Sequence, residues 1–182
     1  MKNTALLVID LQREVLEQPG TWDPEGVIAR AAELADKARK AGAPVIWVQD
    51  NEDMPIGSPQ WQLAEGLDPE PSDFRVDKEY GDSFEETDLG AILEERGVRR
   101  LVVCGAQSDA CIRSTVHGAL VRGYDVTLAS DAHTTGEFPA EFSDGEAIPA
   151  RTKINFTNMY VQWGTEYPGR SGTTAASADI EF

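Results

Sequence analysis

Three reactive side chains stand where strand-like runs of this sequence end. Asp10 closes the apolar run TALLVID, Lys78 closes DFRVDK, and Cys111 follows RRLVVC and its turn of small residues. Ligands of open α/β sheets bind beyond the carboxyl ends of the strands, so these side chains are expected to meet in one crevice. A thiol, a carboxylate and an ammonium together suit attack by sulfur on a carbonyl carbon.

The position of Cys111 favours a nucleophile. It falls in the first turn of a predicted helix, where unpaired backbone N–H groups and the helix dipole stabilise a thiolate. Asp10 is the candidate base, the N–H groups of the turn AQSDAC are candidate oxyanion donors, and Lys78 is expected to lower the pKa values of both groups. Each residue also has a structural interpretation, respectively as a small core residue, a turn residue and a solvated surface lysine.

The elements that must position these side chains alternate between strand and helix. Strands are predicted over residues 4–10, 43–50, 73–78, 99–105 and 124–132. Helices are predicted from an N-cap at Asp23 to Gly42, over 87–97, and over 109–123. This alternation predicts βαβ units around a parallel sheet in an α/β protein, with residues 1–182 as one domain.

Two segments outside this pattern need separate interpretations. Residues 50–72 are rich in proline and lack a sustained period, so we expect an ordered loop or lid over a site. After residue 138 the sequence predicts a short acidic helix. The C-terminal tail, residues 160–182, is expected either to cover a neighbouring subunit or to add an edge strand.

Composition limits the partners of this chain. Sixteen lysine and arginine residues against 32 aspartate and glutamate residues give a formal net charge of −16, which disfavours nucleic acid and anionic membrane surfaces. The sequence starts with MKNTALLVID, without the features of a secretory leader, so a cytoplasmic location is expected. Two cysteines make no disulfide framework, and Cys104 is expected to be a buried, inert thiol.

Three segments, in this order, resemble one family: LLVIDLQ, VDKEYGDSF and LVVCGAQSDACIRSTVHGALVRGYDVTLASDAHTT. Over nearly its whole length the chain resembles the isochorismatase-like cysteine hydrolases, which include nicotinamidases, carbamoyl-amide hydrolases and streptothricin hydrolase. The resemblance implies a Rossmann-like, three-layer α/β/α fold with a six-stranded parallel sheet. It places a catalytic triad at Asp10, Lys78 and Cys111. It also implies a cis peptide bond at Ala106–Gln107, an oxyanion hole from the N–H groups of Gln107 and Cys111, and a homo-oligomer, dimeric or tetrameric.

Two departures from relatives in this family refine the expected activity. Nicotinamidases bind a metal through an aspartate and several histidines after the second strand, whereas VQDNEDMPIGSPQW keeps Asp50 and contains no histidine. We therefore expect no metal and no cofactor. True isochorismatases replace the cysteine, whereas this chain retains Cys111. The expected activity is therefore hydrolysis of a C–N bond other than a peptide bond, in a small-molecule amide, ureide or lactam, through a thioester.

Five further residues are candidates for contact with the substrate, although the aromatic ones also suit a core and the glutamine also suits local backbone bonding. They are Gln12, Trp47, Trp61, Tyr80 and Phe84.

Alternatives to the triad remain open at this point. His133 lies at a strand end and suits a cysteine–histidine dyad with Asp131 as its orienting carboxylate. A low-pKa Cys111 would also suit a redox or stress sensor, and a catalytically silent interaction domain is a third possibility. Whether Asp50 takes part in the site is open as well.

Overall fold

A computed structural model describes residues 3–52 and 54–182 of the chain. Seven strands form one sheet in the order β3-β2-β1-β4-β5-β7-β6. Their bounds are β1 Thr4–Ile9, β2 Val45–Asp50, β3 Phe74–Lys78, β4 Arg100–Ala106, β5 Asp125–Thr134, β6 Glu166–Tyr167 and β7 Arg170–Ala175. The six strands other than β6 run parallel to one another. The sheet thus has seven strands instead of the expected six, because the two-residue β6 pairs antiparallel with β7.

Five α-helices cover the two faces of this sheet within the described residues. They are α1 Arg13–Leu16, α2 Pro24–Lys40, α3 Leu89–Glu95, α4 Arg113–Arg122 and α5 Ala150–Trp163. A π-helical turn, Ser108–Ile112, leads directly into α4, and 3-10 turns span Ala140–Phe142 and Ser177–Asp179. None of the helices in the described part of the chain is long and apolar enough to cross a membrane.

Strand β1 shows why the molecule has three layers. All of its residues are buried, with Leu6 and Val8 in one apolar core and Ala5, Leu7 and Ile9 in the other. Successive strand residues point to opposite faces, so an apolar run without alternation needs cover on both sides. The α/β/α sandwich expected from the sequence is confirmed.

Helix α2 follows its predicted apolar stripe but not its predicted cap. Val27, Ala31 and Leu34 are buried, whereas Ile28 is only partly buried. Asp23 holds the N-cap position in a left-handed conformation and makes no capping bond. Its carboxylate instead accepts a hydrogen bond from Arg30 at 2.6 Å.

The C-terminal third of the chain differs most from expectation. The acidic helix predicted after residue 138 is only the 3-10 turn Ala140–Phe142, and the main helix is α5, which contains no acidic residue. The tail adds β7 beside β5, which was one of its two interpretations. A role of this tail at a subunit interface stays a prediction.

The segment between β2 and β3 is held at its middle. Its described residues, 51–52 and 54–73, form no helix or extended strand. An isolated bridge pairs Gln12 with Leu63, and the N–H of Ala64 donates to Leu11 O at 2.9 Å. The loop therefore lies along the carboxyl end of β1, and its role as a lid stays a prediction.

Candidate active site

Four neighbouring strands bring the predicted reactive groups to one edge of the sheet. Asp10 follows β1, Asp50 ends β2, Lys78 ends β3, and Cys111 lies in the π-helical turn after β4. The register pairs Asp50 directly with Lys78. Because the strands are parallel, their carboxyl ends coincide, and the structure brings all four side chains together.

Lys78 is the hub of this cluster. Its side chain is fully buried, and Nζ lies 2.5 Å from Asp50 Oδ2, 2.9 Å from Asp10 Oδ2 and 3.4 Å from Cys111 Sγ. Burial alone would lower the pKa of Lys78, but the negative charge of Asp10 and the other contacts together raise it above its usual range. The lysine is therefore a permanent ammonium that connects three other groups.

Asp10 is buried, and within the described part of the chain its carboxylate oxygens lack the hydrogen bonds that a buried carboxylate usually accepts. The residue is 2% exposed, has a φ of 49°, and neither carboxylate oxygen accepts a well-aligned hydrogen bond from the described residues. Burial raises the pKa of Asp10 to about 6, although the nearby Lys78 ammonium opposes this shift. A carboxylate with this pKa is a suitable proton acceptor near neutral pH.

The pKa of the Cys111 thiol is raised, whereas the sequence predicted a stabilised thiolate. Burial, together with the negative charge of Asp10, raises the pKa of the Cys111 thiol to about 12, and Lys78 only partly opposes this rise. The physical reason is that the half-buried sulfur lies beside a carboxylate, whose repulsion adds to the loss of solvent. The sulfur is therefore a thiol near neutral pH.

The turn before Cys111 has the expected backbone geometry. The cis peptide bond predicted at Ala106–Gln107 is present. The N–H groups of Ala110 and Ile112 donate to Gln107 O at 3.1 and 3.2 Å. The N–H groups of Gln107 and Cys111 remain the predicted oxyanion donors.

Gly105 allows the strand before this turn to lie close to β1. It has a φ of 127°, and a Cβ at this position would be 2.0 Å from Ile9 O. Any other residue would push β4 away from β1 at the level of Asp10. The spacing between the carboxylate and the turn therefore depends on a glycine here.

The same turn is anchored on its other side by β5 and α5. Thr157 Oγ1 donates to Ser108 O at 3.2 Å. Asp109 accepts a hydrogen bond from Thr135 at 2.7 Å and forms an ion pair with Lys153 at 2.9 Å. The backbone that carries the sulfur is thereby fixed from α5, a helix that the sequence did not predict.

A cleft of about 330 Å³ opens over Asp10 and Cys111. Its lining consists of Asp10, Glu14, Val15, Gln18, Asp50, Glu52, Met54, Gln107 and Cys111. Sequence reasoning missed the five residues among these that follow β1 and β2. Glu52 and Met54 follow the end of β2 closely, which is the same signal that identified Asp10. Glu14, Val15 and Gln18 lie in or just after α1, where no strand end marks them.

Three cleft groups have donor atoms close enough to hold a metal ion. The donor atoms of Asp10, Asp50 and Cys111 lie within 4.8 Å of one another. Lys78 Nζ contacts all three residues, so an ammonium already fills the position among them. The expectation of no metal rests, as before, on the missing histidines.

Trp47 and Phe84 do not line the cleft, contrary to prediction. Trp47 is fully buried in one core, and its Nε1 donates to Asp73 Oδ2 at 2.9 Å. Phe84 lies in the other core and stacks on Tyr124, with ring centroids 5.7 Å apart. Both predictions are wrong because the two rings pack into the two apolar cores, and the sequence does not show which way a ring points.

The other three predicted substrate contacts also lie outside the cleft lining. The Gln12 side chain bonds the backbone N–H and C=O of Asp50, both at 2.8 Å, and the carbonyl oxygen of Trp61 at 3.1 Å. Its amide therefore positions the loop, the second of its two interpretations. Trp61 lies in that loop with a buried Nε1 that has no partner among the described residues, and Tyr80 is 46% exposed.

The alternative cysteine–histidine dyad is not formed. His133 Nδ1 shares a hydrogen bond with Ser108 Oγ at 2.8 Å, and Nε2 contacts Asn158 Oδ1 at 3.0 Å. Asp131, its proposed orienting group, instead accepts hydrogen bonds from the N–H and Oγ of Ser177. Both ring nitrogens are thus occupied, and neither faces the sulfur.

This topology and site define an α/β protein with an aspartate, a lysine and a cysteine grouped at the carboxyl edge of its sheet. The sequence model of the isochorismatase domain matches residues 4–145. The chain therefore belongs to the isochorismatase family, as the sequence resemblance predicted.

Individual relatives agree with this assignment. Streptothricin hydrolase from Streptomyces noursei is 36% identical over 151 residues, covering 80% of this chain and 60% of that protein. The chain thus spans about 60% of the length of that relative. Ureidoacrylate amidohydrolase from Methylobacterium radiotolerans is 30% identical over 175 residues, covering 73% of this chain and 68% of that protein. A cysteine hydrolase from Pseudomonas syringae pv. phaseolicola shares the fold, with a TM-score of 0.86, 23% identity, and coverage of 97% and 90% of the two chains.

Proposed function

We propose that this protein is a cysteine hydrolase that cleaves a C–N bond in a small amide, ureide or lactam. The observation that carries the proposal is the single ammonium of Lys78 in contact with Asp10, Asp50 and the Cys111 sulfur, beneath one cleft. The names of two relatives, a streptothricin hydrolase and a ureidoacrylate amidohydrolase, support the bond type.

The first half of the reaction forms a thioester. Asp10 accepts the thiol proton while Cys111 Sγ attacks the substrate carbonyl carbon, because a thiol with a pKa of about 12 does not ionise in advance. Lys78 keeps the carboxylate beside the sulfur. The N–H groups of Gln107 and Cys111 donate to the oxyanion that forms on the carbonyl oxygen.

The second half releases both products. Asp10 returns its proton to the leaving nitrogen and the C–N bond breaks. Ammonia or an amine departs from an amide or ureide, whereas in a lactam the amine stays attached to the acyl group. Asp10 then takes a proton from a water molecule, whose oxygen attacks the thioester carbon. The acid leaves, the proton returns to sulfur, and one water is consumed for each bond cleaved.

The sensor alternative fits the site less well. A redox sensor needs an exposed thiol with a lowered pKa, whereas Cys111 is half-buried and its pKa is raised. A hydrolase that draws the proton away only when substrate arrives agrees with both properties. Cytoplasmic location, homo-oligomeric assembly and independence from a cofactor stay predictions of the sequence.

The test is release of ammonia or amine from a panel of small amides, ureides and lactams, with the native chain beside Cys111→Ala. Rapid quenching and mass spectrometry would show the acyl group on the peptide that contains Cys111. We expect turnover and the acyl adduct only with the native chain. Equal turnover by Cys111→Ala, or an adduct on another residue, would refute the thioester mechanism.

A further inference from the structure

The cleft over the proposed triad is strongly acidic. Four of the described residues that line it are carboxylates, namely Asp10, Glu14, Asp50 and Glu52, and none of the described lining residues is a lysine or arginine. Lys78 supplies one positive charge beneath them, where it contacts Asp10 and Asp50. With the carboxylates ionised, the site therefore carries a net negative charge before a substrate enters.

The two exposed glutamates that line this cleft form no ion pair with the described residues. Glu14 and Glu52 are exposed, and within residues 3–52 and 54–182 neither carboxylate has a basic group within 4.0 Å. A cleft of about 290 Å³ beside α2 offers a contrast, because its Asp23 and Asp131 are accompanied by Arg30 and Arg151. Another cleft, of about 470 Å³, is also acidic, with Glu17, Glu25 and Glu65 against Arg13. The cleft over Cys111 differs from both because no lysine or arginine among the described residues lines it.

A second observation points to a ligand in the same place. Asp10 is 2% exposed and lines the cleft; its Oδ2 forms the ion pair with Lys78 at 2.9 Å, whereas its Oδ1 has no hydrogen-bond partner among the described residues. Unsatisfied buried oxygens are unfavourable unless a bound molecule donates to them. Between this base and the mouth, Val15 and Met54 provide apolar walls.

We propose that the cleft selects small amide-type substrates that carry a positive charge, with the scissile carbonyl at Cys111 and the cationic group between Glu14 and Glu52. This inference rests on the proposed function for the bond that is cleaved. The charge preference has its own physical basis, because unpaired carboxylates around a narrow cleft concentrate cations and repel anions.

The charge preference can be measured without knowing the substrate. Alkyl methanethiosulfonates transfer their alkylthio group to a cysteine sulfur that has lost its proton, here to Asp10, forming a mixed disulfide and releasing methanesulfinate. One reagent carries a trimethylammonium group and its counterpart a sulfonate, and each rate is divided by the rate with free cysteine. Cys104 is fully buried, so modification reports on Cys111, and Cys111→Ala gives the background.

At low salt we expect the normalised rate at Cys111 to be about tenfold higher for the cationic reagent, an advantage that salt should reduce. In Glu14→Gln/Glu52→Gln the ratio should fall to within about threefold of unity. Glu95→Gln is the matched control, because Glu95 is exposed at the end of α3, near where β4 begins, at the opposite edge of the sheet. A ratio near one in the native chain, or an equal fall in the control, would overturn the proposal.

The preference must also hold for turnover. 6-Aminohexanamide and heptanamide have similar shapes, but only the first carries a charge at neutral pH. We expect a higher kcat/KM for the cationic amide, and loss of that advantage in the double variant. Cys111-dependent turnover that favours the neutral amide would overturn the charge preference alone. No turnover of any amide would reject the proposed function, while the reagent ratio would still decide whether the cleft favours cations.

Discussion

Two buried polar clusters lie on opposite sides of the turn Ser108–Ile112, and they are built in opposite ways. The charged cluster is Asp10, Asp50, Lys78 and Cys111, on the side of β1 to β3. The neutral cluster is Ser108, His133 and Asn158, on the side of β5 and α5. Both contact the same few residues of backbone.

The neutral cluster is complete without a ligand. Each ring nitrogen of His133 has a partner, and Asn158 Nδ2 donates onward to Ser130 O at 3.0 Å. Burial lowers the pKa of His133, although the hydrogen bond with Asn158 opposes this shift. A neutral, fully bonded ring in this position holds the turn and has no free group for chemistry.

The charged cluster is incomplete by the same measure. Asp10 Oδ1 has no partner among the described residues, Oδ2 has only the ion pair with Lys78, and the Asp10 and Cys111 pKa values are both raised by burial. Such a cluster is more stable once a substrate supplies donors or takes up charge. The difference teaches that burial alone does not identify a functional group, whereas burial with an unmet bonding capacity does. Changes in the charged cluster should therefore reduce activity, and changes in the neutral cluster should reduce stability.

The largest expected effect separates the two cysteines. Cys111→Ala should lower kcat by at least about 10³-fold, because it removes the nucleophile, with little change in the free energy of unfolding. Cys104→Ala should lower the free energy of unfolding by about 1–2 kcal/mol, because it leaves a small cavity in β4, and kcat should stay within about twofold. Steady-state kinetics and urea denaturation of both variants measure this. A large loss of kcat in Cys104→Ala as well as in Cys111→Ala would contradict the assignment of different roles to the two cysteines.

Removal of the ammonium should have the next largest effect. Lys78→Met leaves Asp10 and Asp50 as neighbouring buried carboxylates without their cation, so kcat should fall about 10²-fold or more. The pKa of Asp10 should rise above about 6, which moves the acid limb of the rate profile to higher pH. The control is Lys40→Met, which changes an exposed lysine at the end of α2. If the acid limb of the rate profile did not shift in Lys78→Met, Lys78 would not be the group that lowers the pKa of Asp10.

The pH dependence of the native chain should show the raised pKa of Asp10 directly. As a base, Asp10 must be ionised, so kcat/KM should fall as the pH drops through about 6. Stability should change in the opposite direction. The folded pKa exceeds the unfolded value of 3.8, so this group contributes stability below 3.8 that is lost as the pH rises through about 6. In Asp10→Asn the fall in kcat/KM and the change in the free energy of unfolding around pH 6 should both disappear. If the free energy of unfolding of Asp10→Asn still changed with pH as in the native chain, Asp10 would be excluded as the group that causes this change.

A smaller loss of activity is expected when the neutral cluster is opened. His133→Ala leaves Ser108 and Asn158 without their shared partner, so the free energy of unfolding should fall by about 2–3 kcal/mol. The turn would then loosen, lowering kcat by about tenfold or less, with the pH midpoint unchanged. His133→Gln should restore part of the stability. A loss of activity as large as that of Cys111→Ala would instead revive the cysteine–histidine dyad.

The sequence predicted the residues that are placed by the ends of strands, but not those that are placed by packing between distant parts of the chain. Asp10, Lys78 and Cys111 were predictable because each stands at or after the carboxyl end of a predicted strand, and parallel strands end at one edge. Trp47 and Phe84 were misplaced because composition does not tell which side of a layer an aromatic ring faces, and packing in two cores decided it.

The elements behind the site were harder to predict. Helix α5 buries Ile154 and Val161, but it also exposes Phe156 and Trp163, so its apolar residues surround the helix and hide the core-facing stripe. The hydrogen bond between His133 and Ser108 joins residues 25 positions apart, and no local sequence pattern predicts it. The fold class followed from the alternation of strands and helices, whereas the supports of the reactive turn required the tertiary structure.

The smallest expected effects distinguish the wall of the cleft from its surroundings. Met54 is almost buried and lines the cleft, so Met54→Ala should raise KM about five- to tenfold through lost apolar contact, with little change in kcat. Tyr80 was predicted to contact the substrate but is 46% exposed and outside the lining, so Tyr80→Ala should change KM by less than about twofold. The comparison requires KM for one substrate with both variants. A larger KM change in Tyr80→Ala than in Met54→Ala would mean that the segment after β3 moves on binding and brings the tyrosine to the substrate.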